Sequence, residues 1–218
     1  MTSAGGVVTT STLRLLLASG NPKKHAELLR LLAPLGIELA LPADVGGLPE
    51  VVEDRPDFAG NAAKKATSAA LAKGCWALAD DSGLEVDHLG GAPGVRSARY
   101  AGAHGDDDAN NSKLLEELSG VPREARGARF VCALALARPD GTIAAEVRGE
   151  SRGLILEVPR GDHLFGYDPL FEFAEEGFAA TGKAFAEIEP GEKAEVSHRG
   201  RALRALAGEL EELLKANA

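Results

Sequence analysis

The sequence predicts an α/β protein built on a mixed β-sheet flanked by helices. Three observations carry that expectation. Short apolar runs alternate with helical patterns in the first half of the chain, the mark of βαβ units and a parallel sheet. A Pro139-Asp140-Gly141 turn between two apolar runs marks an antiparallel hairpin in the second half. The composition, 44% hydrophobic and 26% charged over 218 residues, is that of a folded domain with enough chain for a core of its own. Aromatics are only 5%, so Ala, Leu and Val must fill most of that core.

The elements follow in order. Residues 1–12 are small and polar and read as a disordered leader. Residues 13–18 (LRLLLA) form a buried strand. Asn21 and Pro22 suit the cap and first position of a helix, and Leu28, Leu31, Leu32 and Leu35 give it one apolar face before Gly36 ends it. Residues 37–41 are a second strand. Residues 42–56 are a loop holding Glu50, Glu53 and Asp54, and residues 57–73 an Ala-rich helix holding Lys64 and Lys65. Residues 76–79 form a strand that closes in an Asp80-Asp81-Ser82-Gly83 turn; extended chain resumes over 84–87 and turns again over 90–94. Residues 106–118 are a helix whose acidic start complements its dipole. Strands over 128–137 and 142–148 flank the hairpin turn, another covers 153–158, a turn-rich aromatic segment covers 162–173, and residues 193–215 are largely helix.

Charge and targeting narrow the function. With 24 Lys+Arg against 33 Asp+Glu, the net charge of −9 removes an overall basic footprint for a nucleic-acid polymer. No run of 18 apolar residues spans a membrane, and no basic, apolar start marks a secretory signal. Cys75 and Cys132 lie far apart in apolar surroundings, which argues against a disulfide framework or a zinc site. A cytoplasmic enzyme or binding protein is expected.

Two familiar patterns fail on context. Gly177-x-x-x-x-Gly182-Lys183 is followed by Ala184, so the hydroxyl a P-loop gives to Mg²⁺ is missing. Gly149-Glu150-Ser151-Arg152-Gly153 matches a nucleophile elbow, but a strand follows where a helix is required.

Four other segments share one chemistry. Ser19, Gly20, Asn21, Pro22, Lys23 and Lys24 lie between a strand and a helix, where amide groups and the helix N-terminus cradle anions. Asp80 and Asp81 put two carboxylates at the expected end of a strand, a costly arrangement unless a cation such as Mg²⁺ is near. Phe165, Gly166, Tyr167 and Asp168 offer aromatic faces on which a base could stack. Lys193, Ser197, His198 and Arg199 place donors at the start of the last helix, where cations are disfavoured unless the ligand is anionic or rich in acceptors.

The motifs SGNxxKxxE (residues 19–27), FxxNAxxKA (58–66), ADDSGLEVDxLxGxPGxxSARYAG (79–102), FGYDPxF (165–171) and SHRGxAL (197–203) resemble the XTP/dITP pyrophosphatases, the inosine-triphosphatase-like family. The resemblance runs from about residue 13 to the last helix. It implies a long twisted mixed sheet, two lobes around a central cleft within a single domain over 13–218, and a homodimer. It implies Mg²⁺-dependent cleavage of ITP, dITP and XTP between the α and β phosphates, giving the monophosphate and pyrophosphate. Carried over residue by residue, it makes Ser19, Gly20, Asn21, Pro22, Lys23 and Lys24 the triphosphate loop. Asp81 becomes metal ligand and general base, Glu53 the second metal carboxylate with Glu50 as competitor, and Lys65 a phosphate lysine. Ser82 becomes a substrate contact, and Phe165, Gly166, Tyr167, Asp168, Lys193, His198 and Arg199 the base and sugar pocket. A pyrophosphatase for modified pyrimidine or methylated nucleotides and a catalytically silent nucleotide-binding module are the alternatives.

Overall fold

The computed structural model describes residues 14–19, 25, 28–29, 32, 36–162 and 165–216, with side chains as far as residue 213. The expected leader and the residues from Gly20 to Lys24 lie outside the described residues. Among the described residues, six strands form one mixed sheet in the order β2-β1-β3-β4-β5-β6. The strands are β1 (Arg14–Leu17), β2 (Glu38–Ala40), β3 (Ala77–Val86), β4 (Gly127–Ala137), β5 (Ile143–Ile155) and β6 (Phe171–Phe173). β1 runs parallel to β2 and β3, and every later pairing is antiparallel. Among the described residues, the helices with stated bounds are α1 (Phe58–Lys73), α2 (Asp107–Glu117), α3 (Pro190–Val196) and α4 (His198–Ala216), and His25, Leu28, Leu29 and Leu32 are also helical.

Local chemistry sets the ends of α1. The Asp57 carboxylate accepts from the Gly60 amide at 2.7 Å, and Gly74, at φ 63°, closes the helix in a left-handed turn. Ala62, Ala66, Ala69 and Ala70 recur at helical spacing and let α1 lie close on one face of the sheet, against Leu16, Ala77, Ala79 and Val131. On the other face, Ala202, Leu203, Leu206 and Leu210 of α4 join Leu28, Leu32, Leu78 and Leu134. A third cluster, with Phe130, Phe171, Phe173 and Phe185, fills the far end of the long strands and concentrates the few aromatics there.

Three boundaries differ from the sequence reading. β3 runs unbroken through Asp80-Asp81-Ser82-Gly83, because β4 pairs with it residue by residue from Ala77↔Ala137 to Val86↔Ala128. Pairing across the sheet outweighs the turn preference of Asp, Ser and Gly. β5 continues to Ile155, so the first half of the separate strand expected over 153–158 is its C-terminal part, and residues 156–158 are not strand. The last helical stretch is broken at Ser197, whose extended backbone (φ −70°, ψ 149°) separates α3 from α4.

The nucleophile-elbow pattern also receives its physical reading. Ser151 is buried mid-strand, and its hydroxyl donates to the Val196 carbonyl. Gly149 lets α4 approach, since a Cβ there would collide with the His198 carbonyl and the Ala202 nitrogen. Gly153 does the same for the Glu172 carbonyl of β6.

Candidate active site

β1 pairs with β3 only at Leu16↔Ala77 and Leu17↔Leu78, and the Ala18 amide bonds the Leu78 carbonyl at 2.8 Å. The first strand therefore leaves the sheet beside Leu78, and among the described residues β3 has no strand partner on that side at Asp80 and Asp81; Pro93 bridges Glu85 further along. Asp80 and Asp81 lie in this stretch, just past the end of a parallel pairing, where open α/β sheets bind ligands.

Alternation along a strand sends successive side chains to opposite faces. Asp81 falls on the α1 face and Asp80 on the α4 face, and each meets a different cation. Both are almost fully buried, at 1% exposure for Asp80 and 7% for Asp81. Burying a carboxylate is costly unless it is paired and hydrogen-bonded.

On the α1 face, Asn61 Nδ2 donates to Asp81 Oδ2 at 3.1 Å. The Ser82 amide donates to Asp81 Oδ1 at 3.1 Å, and Lys65 Nζ stands 3.4 Å from that oxygen. Lys65 also donates to Glu53 Oε1 at 2.8 Å, and Arg99 Nη1 lies 3.6 Å from Glu53 Oε2. Burial works against charge on Lys65, but Asp81, Asp80 and Glu53 outweigh it and raise its pKa above the ordinary lysine value. Asn61 and Lys65 share a helix face because they are four residues apart.

On the α4 face, Arg199 donates through Nη2 to Ser82 Oγ at 3.1 Å, and its Nε lies 3.9 Å from Asp80 Oδ2. His198 stacks on Phe130 with centroids 4.8 Å apart. Lys193 pairs with Asp168 and lies over the Phe185 ring at 5.2 Å. The aromatic segment turns tightly: the Asp168 amide bonds the Phe165 carbonyl at 3.1 Å, and the Tyr167 hydroxyl donates to the Ser97 carbonyl at 2.9 Å. Tyr167 and Asp168 are buried, whereas Phe165 and Gly166 are partly exposed.

The structure thus brings Glu53, Lys65 and Asp81 together on one face, and Ser82, Arg199 and Asp80 on the other. Lys193 and Asp168 meet beside the aromatic cluster. Glu50 is exposed, and Glu53 is the loop carboxylate that reaches Lys65. Lys64 faces away from this pair, holding Asp54 and the Val52 carbonyl at 2.8 Å each. Ser19 is described as the strand leaves the sheet, and its carbonyl meets His25 Nε2; Gly20, Asn21, Pro22, Lys23 and Lys24 lie outside the described residues. Two participants carry no role in the sequence reading. Asn61 stands in the FxxNAxxKA motif one helical turn before Lys65, and that spacing is its signal. Arg99 stands in the motif over 79–102, but its partner Glu53 lies far away in the chain and no local pattern marks that contact.

Among the described residues, no three carboxylate, imidazole or thiol groups gather into a cage for a metal ion. Glu53 and Asp81 converge on one ammonium, however, and both are hard oxygen donors. One or two carboxylates, with the remaining positions left to water and phosphate oxygens, is the donor set Mg²⁺ takes. The residues fit such an ion.

A sequence model of the Ham1 family matches residues 15–209. A dITP/XTP pyrophosphatase of Syntrophobacter fumaroxidans is 51% identical over 201 residues, covering 92% of this chain and 83% of its own length. One from Rhodopirellula baltica is 47% identical over 203 residues, covering 93% and 95%. Among solved structures, a HAM1 protein from Coxiella burnetii superposes with a TM-score of 0.81 at 38% identity, covering 92% of this chain and 99% of that one. A nucleoside-triphosphatase / dITP/XTP pyrophosphatase from Mycobacterium abscessus gives 0.73 at 47% identity, covering 89% and 98%.

Proposed function

The chain belongs to the Ham1 family, and from that footing we propose that it hydrolyses deaminated purine nucleoside triphosphates (ITP, dITP and XTP) between the α and β phosphates. The products are the monophosphate and pyrophosphate. The observation that carries the reading is Lys65, held between Glu53 and Asp81 where β3 outruns β1. That is a charged, partly buried point beside the start of the expected triphosphate loop.

Glu53 and Asp81 would hold Mg²⁺. When bound, the ion neutralises charge on the phosphate oxygens and lowers the pKa of nearby water. Asp81 orients the attacking water. A carboxylate of ordinary pKa about 4 is a weak base, so its contribution is mainly position. Asn61 and the Ser82 amide fix its two oxygens. Lys65 stabilises charge on the departing pyrophosphate, together with Lys24.

Phe165, Gly166, Lys193, His198 and Arg199 would form the base pocket, with the buried Tyr167 and Asp168 supporting the loop. Hypoxanthine and xanthine carry an acceptor oxygen at C6, where adenine carries a donor amino group. Donors from His198 or Arg199 reward the first and leave the second mismatched, which discriminates strongly. We further propose a single two-lobed domain, a homodimer and a cytoplasmic location. Among the described residues, no helix is long and apolar enough to cross a membrane.

The test is product identity. ITP with Mg²⁺ should yield IMP and pyrophosphate, much faster than ATP or GTP yields its monophosphate. IDP with phosphate would overturn the bond assignment. No turnover of any purine would favour a pyrimidine substrate or a silent binding module.

A further inference from the structure

Helix α2 grips the aromatic loop at a single residue. Asp107 Oδ2 accepts from the Gly166 amide at 3.0 Å, and Asn111 Nδ2 donates to the Gly166 carbonyl at 2.9 Å. The two side chains are four residues apart, so they project from one helix face. Their partner is more than fifty positions away in the chain.

The geometry is specific. Gly166 has φ 55°, a left-handed conformation that glycine adopts without strain. Its amide and its carbonyl belong to the two peptide planes flanking its Cα, so two bonds fix both planes. One plane leads back to Phe165, the partly exposed aromatic of the loop. A carbonyl only accepts, so Gly166 also fixes which end of the Asn111 amide faces it.

The rest of the loop is tied down separately, Tyr167 by the Ser97 carbonyl and Asp168 by Lys193. Asp107 and Asn111 hold Gly166 itself, through its amide and its carbonyl. The same helix also holds the chain that carries Arg99. Asn110 Oδ1 accepts from the Ala101 amide at 2.8 Å, and Lys113 donates to the Tyr100 carbonyl at 2.9 Å. Helix α2 is therefore a bracket between the aromatic loop and the segment that reaches Glu53.

We propose that Asp107 and Asn111 are positioning residues for nucleobase selection, setting the pose of Phe165 by clamping both peptide planes of Gly166. The proposal rests on the base-pocket reading above and deepens it. Neither residue contacts Lys65, Glu53 or Asp81 in the bonds that join those three, so the clamp should govern how the base is held rather than the rate of bond cleavage.

The decisive variant is Asn111→Asp. It is nearly isosteric but faces the Gly166 carbonyl with an acceptor in place of a donor. Loss of a well-placed hydrogen bond is worth about 1 kcal/mol and a new repulsion adds to it, so KM for ITP should rise about tenfold. The kcat should stay within about twofold, and the kcat/KM ratio of ITP over ATP should narrow. Amide exchange of the peptide spanning 165–168 should quicken. Asp107→Asn, which keeps an oxygen acceptor for the Gly166 amide, should retain wild-type exchange and selectivity; Asp107→Ala should lose both. Unchanged exchange and an unchanged ITP-over-ATP ratio in Asn111→Asp would overturn the clamp, as would a fall in kcat alone. If the unaltered protein leaves ITP intact, the functional reading fails, and amide exchange in the same variants still decides whether α2 orders the loop.

Discussion

Asp80 and Asp81 are adjacent in sequence and lie on opposite faces of one strand. Asp81 meets Asn61 and Lys65 of α1. Asp80 lies near Arg199 of α4 and accepts from Ser82 Oγ at 3.5 Å. One dipeptide thus serves two environments, and its two carboxylates have different work to do.

That division predicts different kinetics for two otherwise similar substitutions. Asp81→Asn removes the charge beside Lys65 and Glu53, so kcat for ITP under saturating Mg²⁺ should fall at least about a hundredfold. Asp80→Asn acts on Lys65 only at a distance and leaves its contacts with Glu53 and Asp81 in place, so its main effect should be on the Arg199 side, in KM and base preference. Steady-state kinetics on both proteins decides the matter; near-wild-type turnover by Asp81→Asn would remove it from the catalytic centre.

Lys65 makes a prediction about stability and pH. Its pKa is raised in the folded protein, because Asp81, Asp80 and Glu53 together outweigh the cost of burial. A raised value means the ammonium stabilises the fold fully below the ordinary lysine pKa of 10.5 and loses that contribution as pH climbs through the raised value. Lys65→Met should therefore melt well below the unaltered protein at pH 8, since breaking a buried pair costs about 3–5 kcal/mol. The gap should narrow as pH rises past 10.5. Melting curves from pH 8 to 11 test the sign, and a gap that widens with pH would contradict it.

Gly149→Ala sets two effects against each other. Glycine within a strand is disfavoured relative to alanine by about 0.5–1 kcal/mol, so propensity alone forecasts a more stable protein. The added methyl would press into the backbone of α4 at His198 and Ala202, and overpacking of that kind costs about 1–3 kcal/mol. Packing wins by this comparison. Denaturant melts should show a loss, and KM for ITP should rise because the displaced helix carries His198 and Arg199. A stabilised variant would mean that α4 yields easily.

Where the chain's chemistry is local, the fold was legible in the sequence. The Ala-rich helix expected over 57–73 is α1, which Asp57 caps and Gly74 ends. Asp140 and Gly141 turn the hairpin, the Thr142 amide bonding Asp140 Oδ1 at 2.9 Å and Gly141 taking φ 83°. Legibility ended where distant pairing decides. Asp80-Asp81-Ser82-Gly83 has the composition of a turn, and only alignment with β4 holds it straight. The site divides in the same way. Lys65, Asp81, Ser82 and Arg199 stand out as charged or hydroxyl groups in motifs. Asn61, Arg99, Asp107 and Asn111 act through partners far along the chain; an Asp in a first helical turn looks like nothing more than good helix-start chemistry, and an Asn one turn further on carries no local signal.

Arg199 joins base selection to stability. It is 3% exposed, and its planar fork reaches both Ser82 Oγ and Asp80. A lysine keeps the charge but not two donors in fixed geometry. Arg199→Lys should therefore fold, raise KM for ITP and narrow the ITP-over-ATP ratio of kcat/KM. Arg199→Ala should do the same and also lose about 3–5 kcal/mol, because Asp80 stays buried without that cation. Adding Asp80→Asn to Arg199→Ala should recover part of the stability and none of the selectivity. Urea melts and kinetics on the three proteins separate the two roles, and an unchanged ratio in Arg199→Lys would confine Arg199 to holding α4 against β3.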